Sequence, residues 1–421
     1  MKTLSGPDIK SLYSDSCAKM ETYIMFRIAQ RVLDLTESLK AKGRPPIRMS
    51  IGAPTAAPPA ILMEKFREAL QEPGIHTYST PKGEPFFREA VAQRMKTRFG
   101  VDLNPKTEVC SLLGSKEGLA AMFRAIITPR PKRADQDIIL TPDPGYASYG
   151  DAIRIAGGYS QPVALTPQNR YLPDFQQELD ALKAEGLNPA NVKALILNYP
   201  SNPIGALAPY SYYEDTIRFA RERNILVIGD NAYADMAFAG EDKPHSILEV
   251  PGSRDIAIEF HSLSKPYAAT GWRIGFAVGN QDAVSILETV KGTMDSGVWK
   301  VIQKVGAFAL TSPDCDAYIE KMNAEYEDSQ RFMVEGFKKL GWPMDELAVP
   351  RATFYLWLPI PPRYTSCERF AADMMETAGV VVVPGTAFGQ YGEGYFRLSL
   401  VNPRQELEEV LSRMETDGFT Y

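Results

Sequence analysis

Histidine and cysteine are scarce in this chain of 421 residues, and neither is spaced to hold a metal. The three histidines, His76, His245 and His261, never fall into a His-Glu-x-x-His pattern, which argues against a zinc hydrolase. The four cysteines, Cys17, Cys110, Cys315 and Cys367, lie far apart. No Cys-x-x-Cys pair therefore offers a zinc site, an iron-sulfur cluster or a redox couple, and each cysteine reads as a buried thiol. Long hydrophobic runs are missing too. No stretch approaches the ~18 apolar residues that a membrane span requires. The opening Met1-Lys2-Thr3-Leu4-Ser5-Gly6-Pro7-Asp8 lacks the apolar centre of a secretion signal. These absences lead us to expect a cytoplasmic protein with no membrane partner. Basic excess is also absent: 46 Lys and Arg face 52 Asp and Glu, a formal charge of -6, so nucleic acid meets no sequence-wide attraction. Repeats and low-complexity tracts are not found either.

What is present is ordinary globular composition, 44% hydrophobic and 23% charged, at a length that suits one large α/β unit with a smaller companion. The residues from Tyr23 to Leu35 repeat apolar positions at three and four, as an amphipathic helix does. A short strand is expected at Arg48 to Ile51, followed by the loop Gly52-Ala53-Pro54-Thr55-Ala56-Ala57-Pro58-Pro59. From about 106 to 280, short apolar runs alternate with helical stretches. The runs are Glu108 to Leu113, Asp137 to Leu140, Val192 to Leu197, Ile225 to Ile228, Ile256 to Phe260 and Ile274 to Val278. Lacking alternation, they suit strands covered on both faces in a mainly parallel sheet, a three-layer α/β/α arrangement with a helical crossover after each run. Helical stretches near 280–310 and 314–340 lead to strands near 353–358, 379–383 and 395–399, which read as a second, smaller α/β domain. The expected division is 48–310 for the large domain, and 1–47 with 311–421 for a discontinuous small one.

In a parallel sheet, functional groups collect at the C-terminal ends of the strands. After Leu197 comes Asn198-Tyr199-Pro200-Ser201-Asn202-Pro203-Ile204-Gly205, whose prolines and glycine fix the backbone and present Asn202. After Ile228 comes Gly229-Asp230-Asn231-Ala232-Tyr233, a carboxylate at the strand end and a phenol three residues on. After Phe260 comes His261-Ser262-Leu263-Ser264-Lys265, then Gly271-Trp272-Arg273-Ile274-Gly275. An amine bracketed by two hydroxyls and a guanidinium suits a carbonyl beside a phosphate. Asp230 would keep a pyridine nitrogen protonated, and Asn202 with Tyr233 can hydrogen-bond a phenolic oxygen. Pyridoxal 5'-phosphate carries all of these groups.

At these residues the chain resembles a class I/II aminotransferase of the fold type I pyridoxal-phosphate superfamily, and the resemblance runs from Tyr23 to Arg397. It implies that Lys265 condenses with the cofactor aldehyde, Asp230 pairs with the ring nitrogen, and Asn202 and Tyr233 contact the ring oxygen. It likewise assigns Ser262, Ser264 and Arg273 to the phosphate. Gly114-Ser115-Lys116-Glu117-Gly118 resembles the family's phosphate loop at a helix start, and Tyr146, in Asp143-Pro144-Gly145-Tyr146, matches the aromatic that stacks on the ring. Arg397 resembles the arginine that grips the substrate α-carboxylate, with Gly52 in the loop that lets it approach. Tyr78 matches a tyrosine that reaches the neighbouring subunit's cofactor phosphate, implying a homodimer with sites completed across the interface. His76 and His261 are expected to be structural.

Lys116 in the phosphate loop and the segment Lys291 to Val298 are similar to the LL-diaminopimelate aminotransferase branch. Thr55 after Pro54 departs from the usual Gly-x-Pro-Asp. No arginine lies between Arg273 and Arg331, so the arginine that reads a dicarboxylate side chain in aspartate enzymes has no counterpart. The implied function is transfer of an amino group from an L-amino acid to a 2-oxo acid by a ping-pong mechanism, with diaminopimelate, alanine, aspartate, glutamate and aromatic amino acids as candidate donors. A β-lyase on the same scaffold is the alternative. A regulator retaining this fold would need an added basic module, and a Ser-x-x-Lys acyl enzyme would need a Ser-Asp-Asn or Lys-Thr-Gly partner motif.

Overall fold

The computed structural model describes residues 9–18, 20, 24–345, 347 and 349–421. The opening octapeptide and Tyr23 lie outside the described residues, and the expected first helix runs Ile24–Ala41. Strand β1 (Ile47–Arg48) is shorter than the expected Arg48 to Ile51, because it has only the two residues Val380 and Val381 to pair with.

Seven strands follow: β2 (Val109–Leu112), β3 (Ile138–Asp143), β4 (Tyr159–Ala164), β5 (Val192–Leu197), β6 (Leu226–Asp230), β7 (Ala257–Ser262) and β8 (Gly275–Gly279). They form one sheet in the order β2-β8-β7-β6-β5-β3-β4, in which β8 alone runs against the others. Six of these are the apolar runs of the sequence, buried almost end to end. The seventh, β4, was not legible. Only Gln161 and Val163 of it are buried, and Pro162, which has no N–H to give, is tolerated because β4 is an edge strand paired only with β3.

A helical crossover after every run is not what the structure has. The β6–β7 connection contains only the 3-10 turns Ile247–Glu249 and Ser253–Asp255, and β7 passes to β8 through the single 3-10 turn Thr270–Trp272. Antiparallel neighbours such as β7 and β8 can be joined by a loop, whereas parallel ones need a long crossover. These two irregular connections carry Tyr233, Lys265 and Arg273.

The expected stretch 280–310 is two helices, Gln281–Gly292 and Lys300–Thr311. Between them Gly297 sits at φ +92, and a Cβ there would lie 2.3 Å from the Thr80 carbonyl. The long helix Pro313–Lys339 leads to β9 (Tyr355–Pro359), helix Cys367–Asp373, β10 (Val380–Val381), β11 (Val383–Pro384), β12 (Tyr395–Ser399) and helix Arg404–Thr416. The expected strand at 379–383 is thus split: β10 pairs with β1, while β11 joins the antiparallel sheet β11-β12-β9. Helix Ile24–Ala41 packs Val32 against Met375 and Val381 and pairs Arg31 with Glu376 at 2.7 Å.

Cys110, Cys315 and Cys367 are buried as expected, but Cys17 is exposed, because none of the short helix Asp15–Ala18 is buried. His261 lies flat on Phe276, ring centres 4.7 Å apart.

Candidate active site

The ends of β5, β6 and β7 open into one cavity of about 380 Å³, whose far wall is built by β9, β12 and the loop at Gly52. At its floor the strand ends are tied together by amides. Asn198 Nδ2 donates to the Asp230 carbonyl at 2.8 Å, and Asn198 Oδ1 accepts from the Asn202 N–H at 3.0 Å. The Pro-rich turn after β5 is thereby held against the end of β6. Asp230 is buried there. Its Oδ2 accepts a short hydrogen bond from the Tyr149 hydroxyl, and its Oδ1 has no hydrogen-bond partner among the described residues. Burial pushes this carboxyl up to about 6.

Lys265 faces into the cavity from the β7–β8 connection and donates to the Gly52 carbonyl at 2.6 Å. Burial, then the neighbouring Arg397 and Arg273 charges, push its amine down to about 8, so a substantial neutral fraction exists near physiological pH. Tyr233 accepts from Asn202 Nδ2 at 3.4 Å and shares a 2.9 Å hydrogen bond with the Tyr355 hydroxyl.

Arg397, on β12, is only 2% exposed. Its guanidinium donates to Asn202 Oδ1 at 2.9 Å and to the Ser50 carbonyl at 3.2 Å, and lies over the rings of Tyr355 at 4.3 Å and Phe388 at 4.7 Å. Among the described residues no carboxylate pairs with it, so the strand-end salt bridge that would have given it a structural role is absent. A buried guanidinium without a counter-anion is costly unless a ligand brings one. Gly52 borders this edge of the cavity, where a Cβ would make ordinary contact with the Tyr355 hydroxyl at 3.5 Å and with Arg397 at 3.7 Å.

The opposite end of the cavity is built for an anion. Ser115 begins helix Ser115–Ile126 directly after Gly114, whose φ is +108, and a Cβ on Gly114 would lie 2.4 Å from an Arg273 nitrogen. Only glycine lets Arg273 reach the helix N-terminus. Ser262 and Ser264 stand beside it, with Ser262 Oγ accepting from the Ser264 N–H at 3.2 Å. Lys116 lies over the Tyr146 ring at 5.5 Å. Pyridoxal phosphate fits this set: the orphaned Asp230 oxygen would suit a protonated ring nitrogen and the Arg273 end a phosphate dianion, with Lys265 lining the same cavity.

Of the residues given a cofactor or substrate role by number, Gly52, Ser115, Lys116, Tyr146, Asn202, Asp230, Tyr233, Ser262, Ser264, Lys265, Arg273 and Arg397 line this cavity, whereas Tyr78 is 86% exposed and outside it. Sequence reasoning missed Tyr149, Tyr355 and Phe388. Tyr149, at the start of helix Ser148–Ile155, follows Tyr146 by three, and the two rings meet edge to face at 5.6 Å. Tyr355 and Phe388 are brought in by β9 and by the turn before β12, and nothing in the one-dimensional pattern sets them apart from core aromatics.

The sequence profile described as aminotransferase class I and II matches residues 44–414. The chain belongs to this family. An LL-diaminopimelate aminotransferase 2 of Trichormus variabilis is 42% identical over 386 residues, covering 91% of this chain and 94% of that protein. The LL-diaminopimelate aminotransferase of Aquifex aeolicus is 39% identical over 403 residues, covering 96% and 98%. Among solved structures, substrate-bound BacF of Bacillus subtilis superposes with a TM-score of 0.88 at 30% identity, covering 97% of this chain and 98% of the other. A double mutant of Thermus thermophilus aspartate aminotransferase gives 0.84 at 26% identity, covering 96% and 99%. The protein is thus an aminotransferase of fold type I that uses pyridoxal phosphate and acts on an amino acid and a 2-oxo acid. Relatives that are aminotransferases favour this activity over the β-lyase alternative. No described helix is long and apolar enough to cross a membrane.

Proposed function

We propose that this aminotransferase takes LL-diaminopimelate as amino donor and a 2-oxo acid as acceptor, in a ping-pong sequence. Support for the donor comes from the relatives of that activity at about two-fifths identity over nine-tenths of the chain. The observation that carries the site is the buried Arg397 without a counter-anion, facing Lys265 and Asp230 in one cavity. We assign the α-carboxylate to Arg397 and the cofactor phosphate to Arg273, Ser262, Ser264 and the backbone at Ser115, with Lys116 beside them. Tyr146 covers the ring, Asp230 pairs with its nitrogen, and Asn202 and Tyr233 hold its oxygen. Pyridoxal phosphate, when bound, supplies an aldehyde that condenses with amines and a ring that withdraws electrons from the α-carbon. Lys265 serves twice, as the amine that anchors the cofactor and, once displaced, as the base that moves the α-proton. Its depressed basicity suits both tasks. The carboxylate clamp at Arg397 fixes the α-carbon, with Gly52 bordering it.

We further propose a cytoplasmic homodimer in which Tyr78 serves the partner's phosphate site. Its full exposure in the single chain supports this reading. The division into 48–310, and 1–47 with 311–421, is likewise proposed. It is supported by an apolar core around Phe354, Phe370 and Phe396 drawn mostly from 311–421, which also takes in Tyr233, Met236 and Phe238, while the core of the large sheet takes in Trp357 and Phe388. A panel of amino donors, with LL-diaminopimelate against alanine, aspartate, glutamate and aromatic amino acids, tests the donor. LL-diaminopimelate is expected to give the highest kcat/KM, and a donor that exceeds it would replace it in this account.

A further inference from the structure

Tyr355 touches two of the groups assigned above yet has no part in the assignment. Its hydroxyl lies 2.9 Å from that of Tyr233, and its ring centre lies 4.3 Å from the Arg397 guanidinium, which also lies 4.7 Å from the Phe388 ring. Either hydroxyl of the Tyr233–Tyr355 pair can be the donor, but the neighbours fix what Tyr233 receives from Asn202. Arg397 can only donate, so the Asn202 atom facing it at 2.9 Å is the oxygen, and this turns the Asn202 amide nitrogen toward Tyr233 at 3.4 Å. Tyr233 oxygen is therefore an acceptor from Asn202. The functional reading above gives the one proton on Tyr233 to the cofactor's ring oxygen, which leaves Tyr355 as the donor of the 2.9 Å bond.

We infer that Tyr355 is a positioning residue that divides its work between hydroxyl and ring: the hydroxyl orients and polarises the Tyr233 proton, and the ring, with Phe388, holds the uncompensated Arg397 charge. Donors in series strengthen one another, so the proton that Tyr233 offers the cofactor's ring oxygen is more acidic with Tyr355 behind it. Burial keeps Tyr233 well above the ordinary tyrosine value, so it remains a donor. The rings act on the other half. A cation held over two aromatic rings is stabilised where no carboxylate is present, leaving the rest of Arg397 for the substrate. The inference rests on the functional reading above and deepens it.

The test uses the cofactor-loaded protein and two readouts: the pH midpoint of the visible absorbance of the bound cofactor, and the dissociation constant of glutarate, a carboxylate without an amine. The groups facing Tyr233 across the cavity are Lys265, Arg397, Tyr146 and Asp230, with Arg273 and Lys116 further along. None is altered by Tyr355→Phe, which keeps the ring. That variant is expected to raise the midpoint by about 0.5 to 1 pH unit and to bind glutarate as the wild type does. Phe388→Leu is expected to weaken glutarate about 5- to 30-fold and to leave the midpoint in place. Thermal melts of both variants report folding separately. An unmoved midpoint in Tyr355→Phe overturns the hydroxyl role, and unchanged glutarate binding in Phe388→Leu overturns the ring role. A wild-type protein with no pH-dependent visible band would instead overturn the cofactor reading, and this inference with it.

Discussion

Asp230 and Lys265 have opposite shifts with one purpose. Asp230, pushed up to about 6 by burial, binds its proton more tightly folded than unfolded. Whatever stability it lends is therefore complete below about pH 4 and is lost as pH rises through about 6. At pH 8 the cofactor-free protein carries a buried, half-partnered anion, and a ring cation would relieve it. Asp230→Asn should therefore raise the stability of the cofactor-free protein at pH 8 by about 2 to 3 kcal/mol, with the gap closing toward pH 5, while turnover falls about 100-fold or more. Chemical unfolding at the two pH values checks the first part and steady-state rates the second. For Lys265, with its amine pushed down to about 8, the rate of cofactor uptake should rise with pH and level off above about 8. A rise continuing toward 10.5, the ordinary lysine value, would deny that the amine is desolvated. Lys265→Ala should abolish the visible band and nearly all turnover, and a variant that kept full activity would rule the role out.

At the scale of elements, the site depends on how loops end strands. Gly114→Ala forces a Cβ onto Arg273 in an extended positive-φ backbone region that is essentially glycine-only and costs a side chain about 1 to 3 kcal/mol. Pyridoxal phosphate should then bind about tenfold more weakly or worse, by fluorescence titration, with the α-helical dichroism unchanged. The strand ends were legible because a parallel strand buried on both faces is a continuous apolar run. The polar residue that stops the run, Asp230 after Ile228 or the Ser262–Lys265 segment after Phe260, then stands out. The edge strand β4 escaped notice because one covered face and a proline erase that contrast. The helix missing between β7 and β8, though not the one missing between parallel β6 and β7, has a related reason. Apolar runs announce strands but not their direction, and β8 runs antiparallel. Tyr355 and Phe388 were illegible because their importance lies in facing Arg397 and Tyr233 across a cavity, a relation that only the folded chain creates.

At the scale of the molecule, one buried carboxylate ties the large sheet to the C-terminal segment that shapes the substrate end. Asp143, at the end of β3, accepts from the backbone N–H groups of Gln390 and Tyr391, both at 3.0 Å, and the Gly145 N–H donates to the Phe388 carbonyl at 2.8 Å. Asp143→Ala leaves two amides without their acceptor and should cost about 1 to 3 kcal/mol, and KM for the amino donor should rise more than the cofactor Kd. If sites are shared between two chains through Tyr78, mixing inactive Lys265→Ala with Tyr78→Ala subunits should restore activity that neither has alone, because one site of each mixed dimer keeps both residues. The central claim is that a single lysine and a buried, unpaired arginine perform transamination in one cavity. Its most direct test is to add LL-diaminopimelate alone, without acceptor, to the cofactor-loaded protein. The account predicts that the visible band is lost with one equivalent of oxo product per site and is restored by a 2-oxo acid. Continued release of a fragment without any acceptor, or no change with any L-amino acid, would contradict it.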